Sequence, residues 1–203
     1  VTIRFGERGN PMEYFDLGSY QRIVSTTSDE AQTWFDRGLR WTYGYNHEEA
    51  VECFRKAIAA DPACGMAYWG LAYAVGPNYN KPWQLFEPEE KVAALTETNA
   101  ALRTAQDLPA LSAVERALIR ALAERYPGDP EIEDFGPWND AFTDAMRSVY
   151  DAHPDDPDVV AVFAEAGMNR TPWLLWDLPA RAPAAVRAPR SRARPRRRCR
   201  SDR

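Results

Sequence analysis

Apolar residues recur along this chain at helical spacing, most densely between Ala31 and Val75. Ala31, Trp34, Phe35, Gly38, Leu39 and Trp41 fall on one face of a helix. Thr27 with Glu30, or Ser28 with Asp29 and Glu30, marks its start, and Gly44 its end. After the turn at Tyr45-Asn46, Ala50, Val51, Phe54, Ala57 and Ile58 form the stripe of a second helix. Asn46 and Glu49 open it, and Asp61-Pro62 stops it, because the residue before a proline is pushed out of the helical region. So short a turn predicts a tight antiparallel hairpin.

The pattern then starts again. Thirty-four residues after Trp34 stands Tyr68, followed by Leu71, Ala72 and Val75 in the register of Arg37, Gly38 and Trp41. A period of about 34 residues predicts stacked helix–turn–helix units. The register breaks at Gly76-Pro77-Asn78-Tyr79-Asn80-Lys81-Pro82, a run dense in turn formers. Further helices are predicted from Pro88 to about Ala105, from Ser112-x-x-Glu115 to Tyr126-Pro127-Gly128, from Trp138 to His153, and from Val160 onward. Seven or so helices and no convincing strand result. Residues 1–27 show no firm periodicity and read as an irregular lead-in that drapes over the first helix pair.

The expected fold class is therefore all-α: a right-handed stack of antiparallel helical hairpins, an α-solenoid, with one long loop insertion. The domain division is 1–27, 28–178 and 179–203. A single hairpin cannot bury its apolar face, so such units stack, and the stack offers a concave surface for holding another molecule.

Charge refines this picture. The 203 residues carry a net −5, but ten arginines and one acid lie from Pro179 to Arg203, so that stretch carries +9 and the remainder −14. So acidic a body is a poor match for phosphate backbones and suits basic partners. Three cysteines, Cys53, Cys64 and Cys199, argue against a disulfide framework. No apolar leader and no run of ~18 apolar residues is visible, which makes a cytoplasmic protein without membrane contact the expectation.

The residues Trp34, Gly38, Ala50, Phe54, Ala57 and Pro62 resemble the tetratricopeptide repeat (TPR) in register over one unit. Arg37 and Trp41 stand where that pattern prefers Leu and Tyr, and the second and third units match in part. The strings Tyr45-Asn46-His47-Glu48-Glu49-Ala50, Met66-Ala67-Tyr68-Trp69-Gly70 and Gly76-Pro77-Asn78-Tyr79-Asn80 resemble a bacterial group of repeat proteins up to about Leu178. Members of that group usually continue into more helical repeats. The resemblance implies a fold and little about function.

From Pro179 the composition changes abruptly: 20 of the last 25 residues are Arg, Ala or Pro, and none is Lys. Prolines at this density forbid a long helix and no apolar face exists, which predicts disorder. A body with three lysines and many alanines, breaking into residues with GC-rich codons, points to a frameshift or truncation near Leu178. The functional alternative is a genuine arginine-rich arm for nucleic acid or an acidic partner.

Little else suggests catalysis. The two histidines, His47 and His153, lack the spacing of a metal site and read as structural. Cys53 and Cys64 read as buried thiols. The acids Glu48-Glu49, Glu87/Glu89/Glu90 and Asp155/Asp156/Asp158 sit at helix amino ends, where they favour the macrodipole. No catalytic residue, cofactor or metal is assigned. The candidate ligand-binding residues are His47, Trp69, Tyr73, Asn78, Asn80 and Trp83, a polar-aromatic set around the inserted loop. Equally open is that the asparagines brace that loop through backbone bonds. Trp173 and Trp176 offer a patch for self-association. The expected function is a scaffold that binds a peptide or partner protein in its groove. The alternatives are a small-ligand-binding or enzymatic accessory using His47 with Asn78 and Asn80, and a nucleic-acid binder acting through the tail.

Overall fold

A computed structural model describes residues 14–129, 131–174, 176, 177, 179, 182 and 183. The described residues form seven α-helices: α1 (Asp29–Tyr43), α2 (His47–Ala60), α3 (Gly65–Val75), α4 (Pro88–Asp107), α5 (Ala113–Ala123), α6 (Gly136–Ala152) and α7 (Pro157–Met168). The protein is all-α apart from a minimal ladder in which β1 (Trp176–Asp177) pairs antiparallel with β2 (Ala182–Pro183). That ladder lies where the sequence predicts no strand, and β2 falls in the stretch expected to be disordered. The rest of the arginine-rich tail lies outside the described residues, apart from Pro179.

The helix starts follow from their caps. Ser28 Oγ accepts the Ala31 N–H at 3.1 Å, and Asn46 Oδ1 accepts the Glu49 N–H at 3.3 Å. Ser112 and Glu115 form a reciprocal capping box. Two starts differ from the sequence reading for a common reason. Pro137 and Pro157 sit in the first turns of α6 and α7, where a missing N–H costs nothing, so both helices begin earlier than Trp138 and Val160. Asp156 caps α7, its Oδ1 accepting the Asp158 and Val159 N–H groups at 3.0 and 3.1 Å.

The turn between α1 and α2 is a Schellman motif. The Asn46 N–H donates to the Trp41 carbonyl at 2.9 Å and the Tyr45 N–H to the Thr42 carbonyl at 3.0 Å. Tyr45 therefore takes the left-handed conformation, φ +60°, at the position where glycine is usual. The hairpin it makes is closed by Phe54, whose ring packs against Phe35 at 5.7 Å. Gly38 on α1 and Gly70 on α3 both face that ring, and a Cβ on Gly38 would lie 2.8 Å from it.

The centre of the molecule is α3. It packs against α1, α2, α4 and α5, and all its residues except Tyr68 and Val75 are buried. A helix apolar on every side belongs inside a core. Helices α5, α6 and α7 continue the chain of neighbour contacts. The last helix also reaches back. Tyr43 of α1 donates to Asp158, and Tyr73 of α3 donates to Glu165, so α7 is fastened to the first helix and to the central one. One contiguous apolar core runs from Val24 to Ala166.

Candidate functional site

The inserted loop, residues 76–87, faces the α1–α2 turn across a cleft of about 490 Å³. Its lining is mixed: Val51, Ala74, Val75 and Phe86 are apolar, and His47, Glu48, Asn78, Asn80, Lys81 and Glu90 are polar. Three of the six sequence candidates, His47, Asn78 and Asn80, thus meet in one place. Tyr45 stands at the mouth with its ring 56% exposed, edge-on to His47.

Asn78 holds the loop's shape. Its Oδ1 accepts the N–H groups of Asn80 and Lys81 at 2.9 and 3.0 Å, while its own N–H donates to the Lys81 carbonyl at 3.1 Å. It therefore acts as the brace that the sequence left open, and Asn80 is the more exposed of the two. Gly76 is required because the Tyr126 hydroxyl passes directly over it on its way to the Ala72 carbonyl, 2.7 Å distant. Lys81 pairs with Glu90, and its ammonium lies 4.6 Å from the centre of the Phe86 ring.

The other three candidates are core residues. Trp69 stacks on Tyr73 at 5.2 Å, both buried within α3. Trp83 stacks on Phe135 at 4.7 Å and meets Phe86 and Tyr126, which anchors the loop to the segments that follow α5 and precede α6. Trp69, Tyr73 and Trp83 do not line the cleft.

Behind His47 lies a polar interior that the sequence does not reveal. Both ring nitrogens of His47 are buried without a partner among the described residues. Burial holds its pKa below the ordinary value, with Glu165 raising it and Arg125 lowering it by a smaller amount. Arg125 is 1% exposed, its guanidinium set over the Phe142 ring at 5.1 Å, with Nε and Nη1 unpartnered. Glu165 takes the Tyr73 hydroxyl on Oε2 and the Asn169 amide on Oε1. At the sequence level Arg125 is merely a charged residue near the end of α5, and nothing there marks it as interior.

A second surface is already in contact with a peptide, namely the chain's own lead-in. From Tyr20 to Thr26 the backbone has neither helix nor strand; from Gln21 to Val24 the side chains alternate in exposure as in an extended segment, and the chain then bends at Ser25, where the Thr26 N–H donates to the Val24 carbonyl at 2.9 Å. Ile23 points out, 81% exposed, and Val24 points in, 6% exposed. Side chains of α1 read the segment's backbone. Arg40 Nε donates to the Tyr20 carbonyl, and Gln32 Nε2 donates to the Arg22 carbonyl at 2.8 Å. Asp36 Oδ1 accepts the Arg22 N–H at 3.0 Å, and Gln32 Oε1 accepts the Val24 N–H at 3.1 Å. Glu115 of α5 accepts the Ser25 N–H at 2.7 Å together with the Ser25 hydroxyl. Thr26 donates to Asp61, just past α2. The Arg22 guanidinium enters a pocket formed by Asp156 and Asp158 of α7.

Among the described residues, no serine, threonine or cysteine lines the cleft. Among the described residues no cluster of His, Cys, Asp and Glu is arranged to hold a metal ion, and no helix is long and apolar enough to cross a membrane. Cys53 and Cys64 are buried free thiols; burial raises Cys53 and lifts Cys64 to about 11. Trp173, Leu174 and Trp176 are exposed, with the Trp173 N–H donating to the Tyr79 hydroxyl at 3.0 Å. Compared with protein-family models, with curated proteins and with solved structures, the chain matches none.

Proposed function

We propose that this chain is a binding module: a TPR-like right-handed stack of helical hairpins that holds an extended peptide segment of a partner protein in the groove formed by α1, α5 and α7. One observation carries the reading. Polar side chains fixed on these helices already bind a main chain that is in neither helix nor strand, Gln32, Asp36 and Arg40 along Tyr20–Val24 and Glu115 at the bend at Ser25, and bury an arginine between Asp156 and Asp158. Side chains that pair with main-chain groups hold any extended chain, and a charged pocket adds preference. The acidic balance of the body favours a basic partner. We assign the protein to the cytoplasm, where thiols such as Cys53 and Cys64 stay reduced.

Display selection of random 12-residue peptides against the full chain tests this. Convergence on peptides with micromolar affinity by calorimetry, weakened at least tenfold by Asp156→Asn with Asp158→Asn, supports it. No enriched peptide, against either the native chain or one with a weakened lead-in, overturns it.

The cleft supports a second reading, a small-ligand site. Its volume of about 490 Å³ falls in the range of small-molecule pockets, and a lining of apolar side chains with a few polar groups is the usual make-up of such sites. A fragment screen by NMR tests it: hits that shift the resonances of Tyr45, His47 and Asn80 together support it, and a screen that leaves all three unmoved overturns it.

A further inference from the structure

We propose that Tyr20–Thr26 is an internal ligand, occupying in cis the groove through which the array takes its partner, and that its own side chains specify that partner. The proposal rests on the peptide-binding reading above and adds to it the sequence that is bound and the state of the free protein. The partner segment carries an arginine, a β-branched apolar residue two positions on, and hydroxyl residues at the next two, as Arg22, Val24, Ser25 and Thr26 do here.

The mode of attachment is the argument. A stretch that served only to cover the core would bring apolar residues to it, as the preceding Tyr14 and Phe15 do by packing edge-on against Trp34 and Trp41 of α1. The stretch Tyr20–Thr26 differs: it buries Val24, sets the Tyr20 ring edge-on to Tyr43 and leaves Ile23 in solvent. Its remaining hold is polar: main-chain groups of Tyr20, Arg22, Val24 and Ser25 pair with side chains of α1 and α5, and the arginine with α7. Hydrogen bonds of this kind exchange for equivalent ones at little net cost, so another chain with the same groups can replace them. The sites that do the reading lie on elements far apart in sequence: Asp36 and Gln32 on α1, Glu115 on α5, Asp156 and Asp158 at the start of α7. Their convergence on one seven-residue stretch is what a receptor surface does.

The tether sets the energetics. A segment joined directly to α1 competes at an effective concentration on the order of millimolar. A free peptide with micromolar intrinsic affinity is therefore held off by the native chain by a factor of roughly a thousand. The free protein is closed, and a partner opens it by presenting a better match or by bringing further contacts.

The test uses the full chain and a fluorescent synthetic peptide of residues 18–28, with a scrambled peptide as control. Weakening the latch by Arg22→Ala leaves every receptor side chain in place. The expected result is that the peptide binds the variant at least tenfold more tightly than the native chain, that the scrambled peptide does not, and that a peptide carrying Arg22→Ala loses most of its affinity. A well-folded variant that binds the native-sequence peptide no better than the scrambled one overturns the proposal. Should Arg22→Ala unfold the chain, the same peptide is added during thermal melts of that variant and of the milder Ser25→Ala. A rise in melting temperature with the native sequence alone supports the internal ligand, and no rise overturns it. Selected peptides that bind the groove without resembling residues 20–26 would sink this inference and leave the peptide-binding function standing.

Discussion

Arg22 and Asp156 lie 134 residues apart in sequence, and a single guanidinium nitrogen of Arg22 contacts both carboxylate oxygens of Asp156, at 2.7 and 2.9 Å. The same Nη1 reaches Asp158 Oδ2 at 2.8 Å, and Tyr43 donates to the other oxygen of Asp158. Burial works against the charge on both partners, yet the hydrogen bonds win. The guanidinium holds Asp156 below the usual carboxylate range, and the two carboxylates raise Arg22. This knot ties the lead-in, α1 and α7 together, so that among the described helices the last touches the first.

Arg22→Ala should lower stability by about 3 kcal/mol, because it strands Asp158, which is 3% exposed, without its cation. Arg22→Ala combined with Asp158→Ala should recover part of that loss. Urea unfolding of the two single variants and the double variant gives the coupling energy. Simple additivity would mean that the pair acts as a weak surface bridge.

Phe54 is the second point of closure. Its ring fills the space left by two missing side chains, Gly38 from one helix and Gly70 from another. Gly70→Ala should destabilise by about 1–3 kcal/mol through overpacking, although alanine is the better helix former. Adding Phe54→Leu should return some of that stability by vacating the space. If Gly70→Ala alone raises the melting temperature, helix propensity outweighs the clash and the packing account fails.

Tyr45 carries a cost that the turn does not require. A non-glycine residue at φ +60° is disfavoured by roughly 1–2 kcal/mol, and glycine gives back about half of that through chain entropy. Tyr45→Gly should therefore stabilise the protein by up to about 1 kcal/mol. It should also remove the ring that stands over His47 at the cleft mouth. Higher stability with weaker binding of any cleft ligand would identify Tyr45 as a residue kept for function. Unchanged ligand binding would make it a neutral turn residue.

The helices were legible in the sequence because their determinants are local. Ser28, Asn46 and Ser112 stop the chain from fraying at starts that can be read within four residues, and Asp61-Pro62 and the Gly76–Pro82 run mark ends and insertion in the same way. Spacing alone could not separate aromatics that line a cleft from aromatics buried in the core. Trp69 and Tyr73 share a stack inside α3, and Trp83 is an anchor, whereas His47 and Asn80 face the cleft; all five carry the same kind of amphipathic signal. The lead-in was opaque for a different reason. Its partners, Glu115, Asp156 and Asp158, read locally as helix-start acids, and a residue that caps a helix and grips a distant segment leaves one signature for two roles.

Those double-duty acids make the protein's pH response a test of the arrangement. Burial pushes Glu115 up, but the Ser25 hydroxyl and the Ser25 and Ser112 N–H groups outweigh it and leave the carboxyl below its ordinary 4.5. Asp156 is likewise held below 3.8. A carboxyl depressed in the fold contributes stability above its unfolded value, and that contribution is lost as the pH falls through the folded one. Both should therefore fail below about pH 4. His47 acts earlier. Its folded pKa lies below 6.5, so the unfolded chain takes up the proton first and stability declines as the pH drops under that value. Asp36 opposes the trend: burial raises it, so its protonation on acidification favours the fold. Melting temperature followed from pH 7.5 to 3 should fall in two stages. His47→Gln should flatten the first and Glu115→Gln should make the second shallower, with Asp156 supplying the remainder, while Asp36→Asn should raise the plateau at neutral pH and steepen the decline on acidification. A first stage that survives His47→Gln would place the titrating group elsewhere. A second stage as deep after Glu115→Gln as before it would mean that the Ser25 latch is already open in solution.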